Sequence, residues 1–178
     1  MKNLLKILST ALLMFSTALL PAQTAKLDSL DRLISKETDA KARINHMLEK
    51  ADLLAIINLD SAIKFNLKIL EESKRINYKL GQEEVRSKLV HTYSYQGNSK
   101  AALEQLGEFK QLAEQMKDSG TFANYYNTAG LYYGMQSKYD SSIYFYEKAI
   151  PLYEKIGNRM RTGQGASNLA IAYQQQSN

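Results

Sequence analysis

The chain has 178 residues with 23 Lys and Arg, 18 Asp and Glu, two His and no Cys, for a formal charge of +5. This length suits one domain or one short array of repeats, and 44% hydrophobic with 23% charged residues is typical of a folded protein. The absence of Cys excludes a disulfide scaffold, thiolate metal ligands and a thiol nucleophile, and two His leave little for a metal site.

Residues 1–23 have the pattern of a secretory signal peptide. Two lysines near the start precede an uncharged segment at 7–20, and Pro21 then breaks the apolar run. We expect cleavage after Ala22 or Gln23 and export to the periplasm, or secretion, in a bacterium with a Gram-negative-type envelope. An uncleaved membrane anchor is the alternative, but the apolar run is shorter than the ~20 residues that span a bilayer comfortably.

The net charge shrinks once the signal is removed. Two lysines leave with it, so the mature charge is (23 − 2) − 18 = +3. The remaining charges are interspersed without a long run of one sign, which favours a solvated surface over a phosphate-binding stripe. We therefore predict no nucleic-acid partner, and no membrane span after the signal.

Apolar spacing and residues that start or stop helices predict a series of helices after the signal. Residues 24–40 are predicted to form an N-terminal helix or cap. First helices of successive pairs are predicted at about 41–57, 83–96, 122–136 and 162–175. Second helices are predicted at about 60–77, 99–117 and 139–156. Asp60 and Asp140 are natural caps for two of the second helices. Pro151 lies within the last of them, where it either kinks the helix or ends it early.

The helices repeat with a period of about forty residues. Residues 59–65 resemble residues 139–145, and residues 99–103 begin a similar amphipathic run halfway between them. In the first helices this period aligns three columns, which are Leu53, Tyr93, Tyr133 and Tyr173; Glu49, Leu89, Ala129 and Leu169; and Lys50, Val90, Gly130 and Ala170. In the second helices it aligns Ala62, Ala102 and Ser142; Asn66, Leu106 and Tyr146; and Ile69, Phe109 and Ala149. The first repeat fits least, because Glu49 and Lys50 stand where Leu and Gly are expected.

These columns resemble the tetratricopeptide repeat, in which an aromatic residue, Leu-Gly and Tyr are followed in a second helix by Ala, an aromatic residue and Ala. The best copy consists of Tyr126, Ala129, Gly130, Tyr133, Ser142, Tyr146 and Ala149. The usual period is about 34 residues, so we expect nearly one added turn in each helix. The resemblance implies an all-α, right-handed superhelical solenoid of antiparallel helix pairs, with about three and a half repeats. Within the array 41–178, the repeats are placed at about 43–82, 83–122, 123–162 and 163–178.

In tetratricopeptide arrays one face of the first helices lines a concave groove that binds extended peptides or partner helices, so the resemblance implies a site on that face. The residues that we assign to it are His91, Tyr95, Asn124, Asn127, Leu131, Ser167, Asn168 and Ile171. No Lys or Arg occupies these positions, although Lys88 lies at the margin. We therefore expect an amide-and-aromatic surface and not the carboxylate clamp of some family members. Asn127 and Asn168 are the preferred candidates, because a side-chain amide can donate to and accept from a peptide backbone.

The sequence contains no pattern that assembles a nucleophile, a base and an oxyanion donor, so we expect neither an enzyme nor a cofactor. The resemblance implies an exported module that binds a protein or peptide on its concave face. The alternative is the periplasmic start of a tetratricopeptide sensor histidine kinase or regulator, truncated here, which the signal and the long period resemble. A reading frame that continues past Asn178 into a membrane helix and a kinase would favour the sensor, and a stop would favour a small adaptor.

Overall fold

The computed structural model describes residues 23–177, and the described chain is all-α, as predicted. Residues 23–36 form the first helix, α1. The helices that follow it in this range are α2 (Ala40–Ile57), α3 (Leu59–Arg75), α4 (Lys79–Tyr95), α5 (Ser99–Met116), α6 (Ser119–Met135), α7 (Tyr139–Lys155) and α8 (Arg159–Gln176). The predicted signal peptide lies outside the described residues except for Gln23. None of the described helices is long and apolar enough to cross a bilayer.

Successive helices from α2 onward pack against each other and form an array of helix pairs. Short links join them, so packed neighbours run antiparallel. We call α2, α4, α6 and α8 the first helices, and α3, α5 and α7 the second helices. Each first helix also contacts the next first helix, whereas the second helices of the described chain make no such contacts with one another. The array therefore curves toward the first helices, which line its concave side.

The helices recur at a fixed spacing. From α3 onward they begin at residues 59, 79, 99, 119, 139 and 159, which is one start every 20 residues. Two such steps equal the period that the sequence predicts. The predicted class, a helical solenoid built from repeated pairs, is therefore confirmed, while the exact repeat boundaries stay predictions.

The predicted starts of α4, α6 and α8 are wrong by three or four residues. These helices begin at 79, 119 and 159 instead of 83, 122 and 162. Asp118 and Asn158 cap α6 and α8 by accepting hydrogen bonds from the backbone N–H groups of Thr121 at 2.9 Å and Arg161 at 3.1 Å. The prediction failed because a weak helix former such as Gly120 was placed outside the helix, although a cap earlier in the chain draws it into the first turn.

The predicted caps of the second helices are also wrong. Asn58 caps α3 by accepting a hydrogen bond from the backbone N–H of Ser61 at 2.8 Å. Asp60 lies in the first turn of α3, and Asp140 lies in the first turn of α7, which has no side-chain cap. A carboxylate in the first turn still stabilises a helix through its dipole. Pro151 lies inside α7, and the helix continues beyond it and does not end early.

The second-helix columns are buried in all three copies. Each copy places a small side chain in the first turn and a larger side chain one turn later; the residue two turns later is Ile, Phe or Ala. The nine residues are Ala62, Ala102, Ser142, Asn66, Leu106, Tyr146, Ile69, Phe109 and Ala149. The core therefore lies between the first and second helices, as the periodicity indicates.

The first repeat departs from the predicted register. Glu49 is exposed, and Lys50 forms an ion pair with Asp31 of α1, so the columns that give these two residues core positions are wrong for α2. The residues that α2 buries are Ile44, Met47, Leu48 and Ala51. The ion pair also links α1 to the first helix pair of the array.

Helices α6 and α7 approach each other closely at Gly130. A Cβ atom on Gly130 would lie 2.8 Å from the ring of Tyr146. The Ser142 hydroxyl donates a hydrogen bond to the Gly130 carbonyl at 2.8 Å. Only small residues fit at this contact, which explains Gly130 and Ser142 here. On α8 the corresponding Ala170 is exposed, because no helix of the described chain covers it.

Candidate binding groove

A cavity of about 590 Å³ lies on the concave side, and its walls come from all four first helices. Asp52 of α2, Glu83 to His91 of α4, Asn124 and Asn127 of α6, and Arg161 of α8 contribute to the lining. We call this cavity the concave groove. Because it runs across four successive first helices, it has the extended form that a stretch of polypeptide needs.

The structure brings together only some of the predicted site residues. Three of them, His91, Asn124 and Asn127, line the concave groove. A smaller cavity of about 290 Å³ between α6, α7 and α8 is lined by three others, which are Leu131, Asn168 and Ile171. Tyr95 and Ser167 line neither cavity; Tyr95 is 72% exposed, and Ser167 donates to a carbonyl within its own helix.

The predicted amide-and-aromatic character of the groove is wrong, because charged side chains line much of it. The carboxylates are Asp52, Glu83 and Glu84, and the cations are Lys88 and Arg161. The Lys88 ammonium pairs with Asp52 and lies 3.7 Å from a carboxylate oxygen of Glu84. Arg161 forms no ion pair with any residue that the structure describes. The groove is thus a mixed-charge surface in which one cation is left unpaired.

Asn124 joins three helices through a chain of hydrogen bonds. Its amide nitrogen donates to Glu83 of α4, and its carbonyl oxygen accepts from the Tyr153 hydroxyl of α7 at 2.7 Å. Burial raises the pKa of Tyr153 to about 12, so the hydroxyl keeps its proton and acts as the donor. Asn124 therefore holds the groove wall together, and its oxygen already has a partner before any ligand binds.

Two buried polar atoms of the groove residues have no hydrogen-bond partner among the described residues. They are Oε2 of Glu83, a residue that is only 8% exposed, and Nε2 of His91. Burial raises the pKa of Glu83, and the Thr121 and Asn124 side chains oppose this effect. Burial lowers the pKa of His91, and the positive charges of Lys88 and Arg161 lower it further, so the ring is neutral at pH 7. Buried polar atoms are normally paired, so unpaired ones mark a candidate site.

The two preferred asparagines differ in their surroundings. Asn127 is half-buried in the groove, and its amide makes no hydrogen bond within the described chain. Asn168 lies beside the Tyr146 hydroxyl, whose pKa is raised by burial while the Asn168 amide opposes this effect. Of the two amides, Asn127 is the one left available to a ligand.

No cluster of metal ligands is found in the described part of the chain. No group of three or more His, Asp or Glu side chains there could hold a metal ion. The groove serine, Ser87, shares a hydrogen bond of 2.9 Å with the Thr128 hydroxyl, and no base lies in that contact. The side chains that line the groove offer hydrogen bonds and ion pairs to a ligand.

Comparison with models of known protein families and with curated protein sequences finds no match. The resemblance to tetratricopeptide repeats therefore depends on the residue columns.

Sequence reasoning missed Glu83 and Arg161 as groove residues. The misplaced helix starts are the reason: α4 was expected to begin at Glu83 and α8 just after Arg161, so neither entered the predicted groove face. The signal in the sequence was Asn158, three residues before Arg161, because the Asn158 side chain caps α8 and sets its start at Arg159.

Proposed function

We propose that this chain is an exported interaction module of the tetratricopeptide type, which binds an extended segment of a partner protein in its concave groove. One observation carries the proposal: the groove crosses four first helices and contains polar groups that the described chain leaves unpaired. Asn127, Arg161, Oε2 of Glu83 and Nε2 of His91 are these groups. A polypeptide backbone and its side chains supply both donors and acceptors for such groups.

Three features support the family and the export. The small-residue columns recur in register with the helix pairs, and the first helices line the concave side. The N-terminal pattern of the sequence is that of a secretory signal. Binding is favoured over catalysis because the groove hydroxyl of Ser87 is already hydrogen-bonded to Thr128.

A sensory input segment is the second candidate, and the surface of α8 favours it. Helices α4 and α6 bury Leu89 and Ala129, but the corresponding Leu169 of α8 is only half-buried, and Tyr173 is 45% exposed. A further second helix would cover these positions, as expected in a longer array of repeats that leads to an output domain.

Site-specific photo-cross-linking tests the groove directly. A benzophenone amino acid replaces Asn127 in the groove or Lys110 on α5, an exposed second-helix position that serves as the matched control. In the native envelope we expect adducts from position 127 that position 110 does not give. Mass spectrometry identifies the partner and the contacted segment.

Binding of the identified partner is then measured with the Asn127→Ala variant. We expect about a tenfold or greater loss of affinity, the scale for removing hydrogen bonds at a binding site. Adducts that are the same from both positions would contradict groove binding. An unchanged affinity of the Asn127→Ala variant would show that the Asn127 amide does not contact the partner.

A further inference from the structure

One carboxylate of the concave groove has no compensating cation. Glu83 lines the groove on α4, and its residue is more than nine-tenths buried. One carboxylate oxygen accepts a hydrogen bond from Asn124. The other has no hydrogen-bond partner among the described residues, because the Thr121 hydroxyl, which is close enough to lower the pKa of Glu83, donates to Asp118 instead. An unpaired carboxylate that is shielded from water is unfavourable, and a positively charged donor that reached it would stabilise it.

The charges that act on Glu83 within the described chain are negative. Asp118 and Glu84 both raise the pKa of its carboxyl group, in addition to the effect of burial. The surroundings of Glu83 thus have the electrostatic character of a site for a cation.

The nearby cations are engaged elsewhere. Lys88 pairs with Asp52 and Glu84, and the Arg86 guanidinium pairs with Glu108 of α5 and donates to Gln105 at 3.0 Å.

Arg161 also lines the groove, where its charge lowers the pKa values of His91 and Tyr153. No ion pair joins Arg161 to Glu83 in the described chain, so a cationic group of a ligand would supply a positive charge that Glu83 lacks.

We propose that the groove receives a lysine or arginine side chain of the bound segment, and that its cationic head group pairs with Glu83. This inference rests on the proposed peptide-binding function. A side chain is favoured over a free amine because the groove continues past Glu83 across α6 to α8, where the unpaired amide of Asn127 can hold the backbone of the same segment. Ion-paired hydrogen bonds are stronger than neutral ones, so Glu83 would select for charge.

A host peptide with one variable position tests this selection. The probes are acetyl-Gly-Ser-Gly-X-Gly-Ser-Gly-amide peptides, with Arg, Lys, Gln or Glu at X, and free putrescine. Each is titrated into the ¹⁵N-labelled protein while the side-chain amide signals of Asn124 and Asn127 are followed by NMR. We expect the Arg and Lys peptides to bind about tenfold or more tightly than the Gln peptide, and the Glu peptide to bind least.

Two variants assign the preference to the carboxylate. Glu83→Gln keeps an oxygen that can accept from Asn124 and should bind the Arg and Gln peptides equally. Glu154→Gln, at an exposed position of α7, is the matched control and should retain the preference. Far-UV circular dichroism verifies that both variants are folded.

Each remaining outcome overturns the inference. An Arg preference that survives in Glu83→Gln would show that another group selects the charge. A Gln peptide that binds as tightly as the Arg peptide would leave peptide binding intact but refute selection by Glu83. Putrescine binding as tight as that of the Arg peptide would make the ligand a free amine. If no peptide shifts either signal, the inference fails, and the cross-linking experiment decides the proposed function separately.

Discussion

Replacing Gly130 by alanine tests the closest contact between a first and a second helix. The added Cβ atom would lie 2.8 Å, 2.9 Å and 3.0 Å from three ring carbons of Tyr146. The ring cannot move away easily, because Tyr146 is only 3% exposed. Ser142 further limits a backbone shift, since its hydroxyl is bonded to the Gly130 carbonyl. The new methyl group must therefore strain the α6–α7 contact.

The size of the effect follows from two opposing terms. Overpacking a well-packed core costs about 1–3 kcal/mol, and contact with three ring atoms favours the upper half of that range. Alanine in a helix interior is more stable than glycine by about 1 kcal/mol, which partly offsets this cost. We expect a net loss of about 1–2 kcal/mol in the free energy of unfolding. For a chain of this size this corresponds to a fall in Tm of roughly 2–8 °C.

Gly107→Ala provides the matched control. Gly107 lies in α5, and a Cβ atom there would meet nothing within 4 Å, so only the propensity term applies. We expect this variant to gain about 1 kcal/mol. Urea unfolding and thermal melts, both followed by circular dichroism, give the two values. If Gly130→Ala gained as much stability as Gly107→Ala, the close approach of α6 to α7 would be refuted.

Two further predictions concern the groove wall. Tyr153→Phe removes the donor to Asn124 and should lower the free energy of unfolding by about 1–2 kcal/mol. Tyr95→Phe, at an exposed position, should change it little. Equal urea midpoints of the two variants would contradict a stabilising hydrogen bond between Tyr153 and Asn124. Because the pKa of Glu83 is raised above 4.5, the folded state binds this proton more tightly than the unfolded state. Stability should therefore fall as the pH rises from about 4.5 through the folded-state pKa. Glu83→Gln should lack this fall and be more stable than the wild type at pH 7, and identical pH profiles of the urea midpoint would rule this out.

The core of the second helices was predictable because it depends on local periodicity. Residues such as Ala102, Leu106 and Phe109 lie one helical turn apart, and their apolar or small side chains mark the buried face without any knowledge of the neighbours. The helix starts were less predictable. Weak helix formers follow Asp118 and Asn158, and they suggest a later helix start. The one hydrogen bond that each cap accepts moves the start about a turn earlier.

The site was predictable only in part, because the groove combines residues that are distant in the sequence. His91 of α4 and Asn127 of α6 were each predicted from the face of their own helix. Lys88, assigned to the margin, becomes a groove cation because Asp52 of the preceding first helix pairs with it. Arg161 enters the same groove from α8, since the array curves and brings four first helices together.

The sequence by itself determines the helical class, the spacing of the helices and the small residues that let them pair, because each depends on contacts within one repeat. Only the tertiary structure decides which polar groups remain unpaired. Asn124 is used by Glu83 and Tyr153, while Asn127 is free. The physical reason is that pairing depends on neighbours from three or four helices, whose distances are set by the packing of the whole array.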